Sequence, residues 1–121
     1  MLSVKAGASE LRLKWPGPGH ERTETMNPDI CTAIHKRRLV RFFYDPGMRT
    51  VEPYAYGVGD GGRELLRGFQ IAGGTRSREY AWKLFRVEEI RELVVLDDTF
   101  ERPRDGYMRN DPTMTKVYCE L

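Results

Sequence analysis

Histidine and cysteine are scarce in this 121-residue chain, with two of each, and that scarcity removes most of the usual site chemistries. Cys31 and Cys119 lie at opposite ends of the sequence, with no CxxC pair and no metal-ligand spacing. They are expected to be two separate reduced thiols rather than disulfide partners. His20 falls in an irregular stretch. His35 stands beside Lys36, Arg37 and Arg38, where it reads as a solvated helix-end cation and not as a catalyst. No GxSxG, HExxH or P-loop pattern occurs. The acidic pairs Glu88-Glu89 and Asp97-Asp98 are sequence neighbours, which a strand would point to opposite faces. Catalysis is therefore not expected, and no cofactor or metal is implied. No apolar run is long enough to span a membrane, and the N-terminus lacks the apolar core of a secretory signal. The expected location is the cytoplasm.

What is present fits one charged but globular domain: 40% hydrophobic and 31% charged residues, with a net charge of +2. The charge is unevenly spread. Lys36–Arg86 carries eleven Lys/Arg against five Asp/Glu, and Val87–Leu121 carries five against nine. This asymmetry predicts a positive field on one part of the molecule and a negative field on another.

Residues 1–26 show no sustained period, and Pro16-Gly17-Pro18-Gly19 breaks any element there. They read as a disordered tail in which only Trp15 has a reason to dock, and Met26 is a possible true start. The folded unit, 27–121, opens on Asn27-Pro28, an N-cap followed by a proline suited to the first helical position. Ile30, Ala33 and Ile34 form one apolar stripe, giving a short helix over Asn27–Arg38. Strand-like runs follow at Leu39–Tyr44, Arg49–Tyr56, Glu64–Ile71, Ala81–Val87 and Arg91–Leu96. Asp45-Pro46-Gly47 marks a turn, and Pro53 marks an edge or a bulge. The glycine-rich Gly57–Gly62 is not followed by a helix, so it reads as a hairpin connection and not as a phosphate-binding turn. A single helical turn is expected at Val87–Ile90 and a last edge strand at Thr113–Cys119. The fold class is mainly β (α+β): a small barrel or strongly bent sheet of about five strands, preceded by one short helix.

The strands interleave cations with aromatics. Alternation places Leu65, Arg67, Phe69 and Ile71 on one face and Trp82, Leu84 and Arg86 on another. An unpaired arginine among apolar groups costs several kcal/mol to bury, so it needs a carboxylate, a cleft or an anionic ligand. Two such arginines on two strands would line one basic pocket suited to phosphate, nucleotide or single-stranded nucleic acid. The candidate ligand-binding set is Arg67, Arg86, Lys83, Trp82, Phe69 and Tyr54. Otherwise Arg67 and Arg86 pair with Glu52, Glu64 or Glu88 and serve the fold alone.

From Ile30 to Pro103 the chain resembles the WYL domain family of bacteria. The likeness is carried by Ala33–Tyr44, Arg49–Tyr54, Gly62–Phe69, Lys83–Ile90 and a closing Phe100-x-x-Pro103, through their order and spacing. The triplet that names the family is matched by Glu64-Leu65-Leu66, and the family's second arginine falls on Glu89. The resemblance implies an Sm-like or SH3-like barrel. It also implies a ligand-sensing module of transcription regulators, binding nucleic acid or nucleotide-like ligands through a basic patch to which Arg86 corresponds. Residues 1–26 leave no room for a helix-turn-helix. The expected partners are thus an anionic small ligand or single-stranded nucleic acid, a second copy of the chain, or a separate DNA-binding subunit. The alternative is a protein–protein adaptor or dimerisation module without nucleic-acid binding.

Overall fold

The computed structural model describes residues 26–73, 81–101 and 103–121. The expectations for the N-terminal tail, for Trp15 and for most of the Ala72–Arg78 loop lie outside them.

One helix, α1 (Pro28–Lys36), precedes six strands: β1 (Arg38–Tyr44), β2 (Gly47–Val58), β3 (Glu64–Gly73), β4 (Trp82–Arg86), β5 (Arg91–Thr99) and β6 (Lys116–Glu120). The Asn27 side chain caps α1 by accepting from the Asp29 amide at 2.9 Å. Arg37 ends the helix in the left-handed conformation (φ 57), its amide returning to the carbonyls of Ala33 and Ile34. Single 3-10 turns occupy Asp60–Gly62 and Val87–Glu89, the latter as expected from the sequence.

All strand pairings are antiparallel, in the order β4-β3-β2-β1-β5, with β6 added to the far half of β2. Pairing of β4 with β5, which would close a barrel, is not seen among the described residues. The long strand β2 organises the sheet. It pairs with β3 along its length, with β1 through Val51 and with β6 from Ala55 onward. Pro53 sits where the outer partner changes, so its missing N–H breaks no ladder with β1 or β6. The β2–β3 register also shifts between Pro53 and Ala55. Pro53 therefore marks a bulge, as read, but in a central strand and not at an edge.

That shift divides the side chains of β2 between two apolar clusters. Val51 and Tyr56 join Ile30, Ile34, Val40, Phe42, Leu66 and Phe85 in the main core beneath α1. Tyr54 joins Leu39 and Phe100 in a second cluster, with Phe69, Trp82 and Tyr107 packed against it. The helix stripe read from the sequence is fully buried.

Two sequence expectations fail here. Cys31 and Cys119 are disulfide-bonded, with Cα atoms 5.7 Å apart. Their 88-residue separation hid this, because the late strand β6 returns beside β2 under α1. The charge blocks do not face apart either. Arg38 pairs with Asp97, Arg63 with Glu88 at 2.9 Å and Arg67 with Asp111 at 2.7 Å, so the basic and acidic stretches interlock.

Candidate ligand-binding site

The β3–β4 ladder sets Phe69 opposite Trp82, Arg67 opposite Leu84 and Leu65 opposite Arg86. Directly opposed residues share a face, so the two alternations read from sequence coincide on one surface. Lys83 is opposite Gly68 and thus belongs to the other face, away from Arg67.

Residues 103–112 form a strap across this surface. Gly106, with φ 94, turns the strap over Trp82, and a Cβ there would lie 3.0 Å from the indole nitrogen. The indole donates to the Asp105 carbonyl at 3.0 Å and stacks on Tyr107, with ring centroids 6.2 Å apart and planes at 21°. Between sheet and strap lies a hollow of about 250 Å³, lined by Arg67, Trp82, Gly106, Tyr107, Met108, Asp111 and Pro112.

Asp111 is buried in the wall of this hollow. It accepts from Arg67 Nε at 2.7 Å and from Arg67 Nη2 at 3.4 Å. It also accepts from the Thr113 amide at 2.9 Å and the Thr113 hydroxyl at 2.6 Å. Burial works against its charge, but the hydrogen bonds from Arg67 and Thr113 outweigh that and hold the carboxyl down at about 2. The guanidinium that sequence reasoning left open to a ligand is thus met by a carboxylate of the same chain. Neither Glu52, Glu64 nor Glu88 is that carboxylate. Glu64 accepts from the hydroxyls of Tyr56 and Tyr118, and Glu88 pairs with Arg63.

Glu52 and Tyr54 support the site from below. Tyr54 is fully buried, against Trp82 at 4.7 Å and Tyr107 at 5.0 Å, so it braces the indole and has no face for a ligand. Its hydroxyl donates to Glu52 at 2.9 Å and accepts from the Arg104 amide at 3.0 Å. Burial, aided by the Glu52 carboxylate, pushes the phenol up to about 12, although the Arg104 amide pulls the other way. The Arg104 guanidinium grips Glu52 at 3.0 Å and lies 4.6 Å over the Phe69 ring. Phe69 is therefore half-buried and capped on one side.

The structure accordingly gathers Arg67, Trp82 and Phe69, places Tyr54 beneath them and turns Lys83 away. Arg86 lies on the same face but does not line the hollow. It is solvent-exposed, with Glu89 at 3.6 Å. The expectation of two arginines opening into one pocket is corrected to one arginine in the wall and one outside it. Sequence reasoning missed the strap residues Arg104, Gly106, Tyr107 and Asp111. The one available signal was Asp111-Pro112-Thr113, since Asp followed two positions later by an amide it can accept from is a turn-forming pattern.

Among solved structures, the chain is similar to proteasome accessory factor B/C (PafBC) of Arthrobacter aurescens, with a TM-score of 0.54 and 28% identity over 68% of this chain. That neighbour is a WYL-domain-containing regulator. The likeness supports a WYL-like fold. The match spans 13% of the PafBC chain, so it concerns one module of a larger protein. No family model and no curated protein matches the chain.

Proposed function

We propose that this WYL-like chain is a non-enzymatic sensor whose anionic ligand, a nucleotide or short single strand, enters the hollow and takes Asp111's place on Arg67. One observation carries this reading. A buried carboxylate already occupies the guanidinium, in a hollow walled by stacked aromatic rings. A ligand phosphate offers the same bidentate acceptor geometry. Trp82 supplies a stacking wall, and Arg86 supplies a second cation on the same face. Asp111 then acts as a built-in competitor, which sets a modest affinity and favours ligands bringing more than one negative charge.

Tryptophan fluorescence titration with nucleotides and single-stranded oligonucleotides, at several salt concentrations, tests the proposal. The expected result is saturable binding that weakens with salt, is lost in the Arg67→Ala/Arg86→Ala double variant and tightens in Asp111→Asn. Binding indifferent to both changes, or a log-log salt slope near zero, would remove the site.

A second reading draws on the edge strand β5, which among the described residues pairs only with β1 and exposes Val94. Such an edge can accept a strand from a partner or a second copy. A stable dimer by light scattering, with no oligonucleotide affinity, would favour that adaptor role.

A further inference from the structure

We propose that the Cys31–Cys119 disulfide is a redox-responsive clasp that sets how tightly the strap closes over the Arg67 hollow. The bond joins α1 to β6, and β6 is where the strap is fastened. Immediately beyond Cys119, Leu121 accepts from the Tyr107 hydroxyl at 2.8 Å and from Arg109 at 3.3 Å. Glu120 accepts from the Asn110 amide at 3.0 Å and pairs with Arg109 at 3.0 Å. These ties hold the strap just before Asp111, the residue that occupies Arg67.

The two elements joined by the clasp differ in what else holds them. Helix α1 buries Ile30, Ala33 and Ile34 completely, and the amide of its cap residue, Asn27, donates to Tyr56 Oη at 2.8 Å. It keeps its seat without the sulfur bridge. Strand β6 is five residues long, and its pairing with β2 shifts register between Tyr56 and Gly57. Cleavage therefore loosens β6 and the strap more than the helix.

Cys31 is half-buried and Cys119 buried, so a small dithiol reaches the Cys31 sulfur first. One thiolate of the reductant attacks that sulfur, forming a mixed disulfide and expelling the Cys119 thiolate, which takes a proton from water. The reductant's second thiol then displaces Cys31. The protein gains two electrons and two protons as two thiols, and the dithiol leaves as its cyclic disulfide. A disulfide oxidant reverses both steps. In the reduced state the strap lifts more often and Arg67 is released from Asp111 for longer. A bridge of this kind also gives a disulfide a purpose in a reducing compartment, where lasting ones are rare.

The consequence for ligand affinity rests on the hollow being the binding site, but the movement of the strap does not. Hydrogen exchange of the full chain, followed by mass spectrometry in oxidised and reduced dithiothreitol and in Cys31→Ser/Cys119→Ser, separates the two. Reduction is expected to speed exchange in 103–112 and 116–121 on the order of tenfold beyond any change in 28–36. Tyr107→Phe, with the disulfide intact, is expected to loosen 103–112 alone. Equal protection of the strap in both redox states would overturn the clasp. So would a rise in exchange of equal size in 28–36, 103–112 and 116–121, which would make the bridge a plain staple. A strap that loosens while nucleotide titration stays flat keeps the clasp and removes the ligand reading.

Discussion

Arg67 and Asp111 form the contact on which the site turns, and only one of them could be found by reading along the chain. Arginine at an alternating position among Leu65, Phe69 and Ile71 required a partner on elementary grounds. The partner is 44 positions away, in a stretch without a period, where the turn pattern at Asp111 was the one signal and did not point to Arg67. Tyr54 and Lys83 show a second limit. Residue type marked both as ligand groups, whereas depth and face are fixed by the register of β2, β3 and β4. The ion pair also has a pH signature. The folded Asp111 carboxyl lies at about 2, below its ordinary 3.8, so its contribution to stability is complete above the unfolded value. It is lost as pH falls through 4 toward 2. Thermal unfolding of the wild type should drop across that window more steeply than that of Asp111→Asn. At neutral pH the variant should be less stable by about 1–3 kcal/mol, having replaced a charged acceptor of Arg67 and Thr113 with a neutral amide.

At the scale of elements the sequence was far more readable. The β-branched and aromatic runs located every strand to within a few residues, and Asn27-Pro28 located the helix start. These signals are local, and propensity, capping and turn chemistry act locally. Strand partners were not readable, because β6 reaches β2 across most of the folded unit. That pairing depends on Gly57, where an added Cβ would collide with the Lys116 carbonyl and come within 2.9 Å of the Val117 Cα. Gly57→Ala should therefore push β6 off the sheet. A loss of about 1–3 kcal/mol by urea denaturation is expected, with new exchange confined at first to 116–121. Unchanged stability would mean that β6 contributes little to the sheet.

For the whole molecule, cross-links add to what the core supplies. The interlocked charge blocks and the one disulfide tie late residues to early ones. A bridge closing 88 residues constrains the unfolded chain strongly. Its loss in Cys31→Ser/Cys119→Ser should cost about 2–5 kcal/mol of unfolding free energy, measured by denaturant titration without reductant. A midpoint equal to the wild type would show that the thiols are not bonded in solution. The net charge of +2 said nothing of this arrangement, since it counts charges without placing them.

The handover at Pro53 bears on how the protein is made. The near half of β2 finds β1 at once, across a tight turn, whereas its far half waits for β6, which follows three further strands. A nascent chain must therefore carry Ala55–Val58 with one open flank until β6 has emerged. Closure of the sheet, and with it of the strap over Arg67, therefore waits for the strand that is made after all its partners.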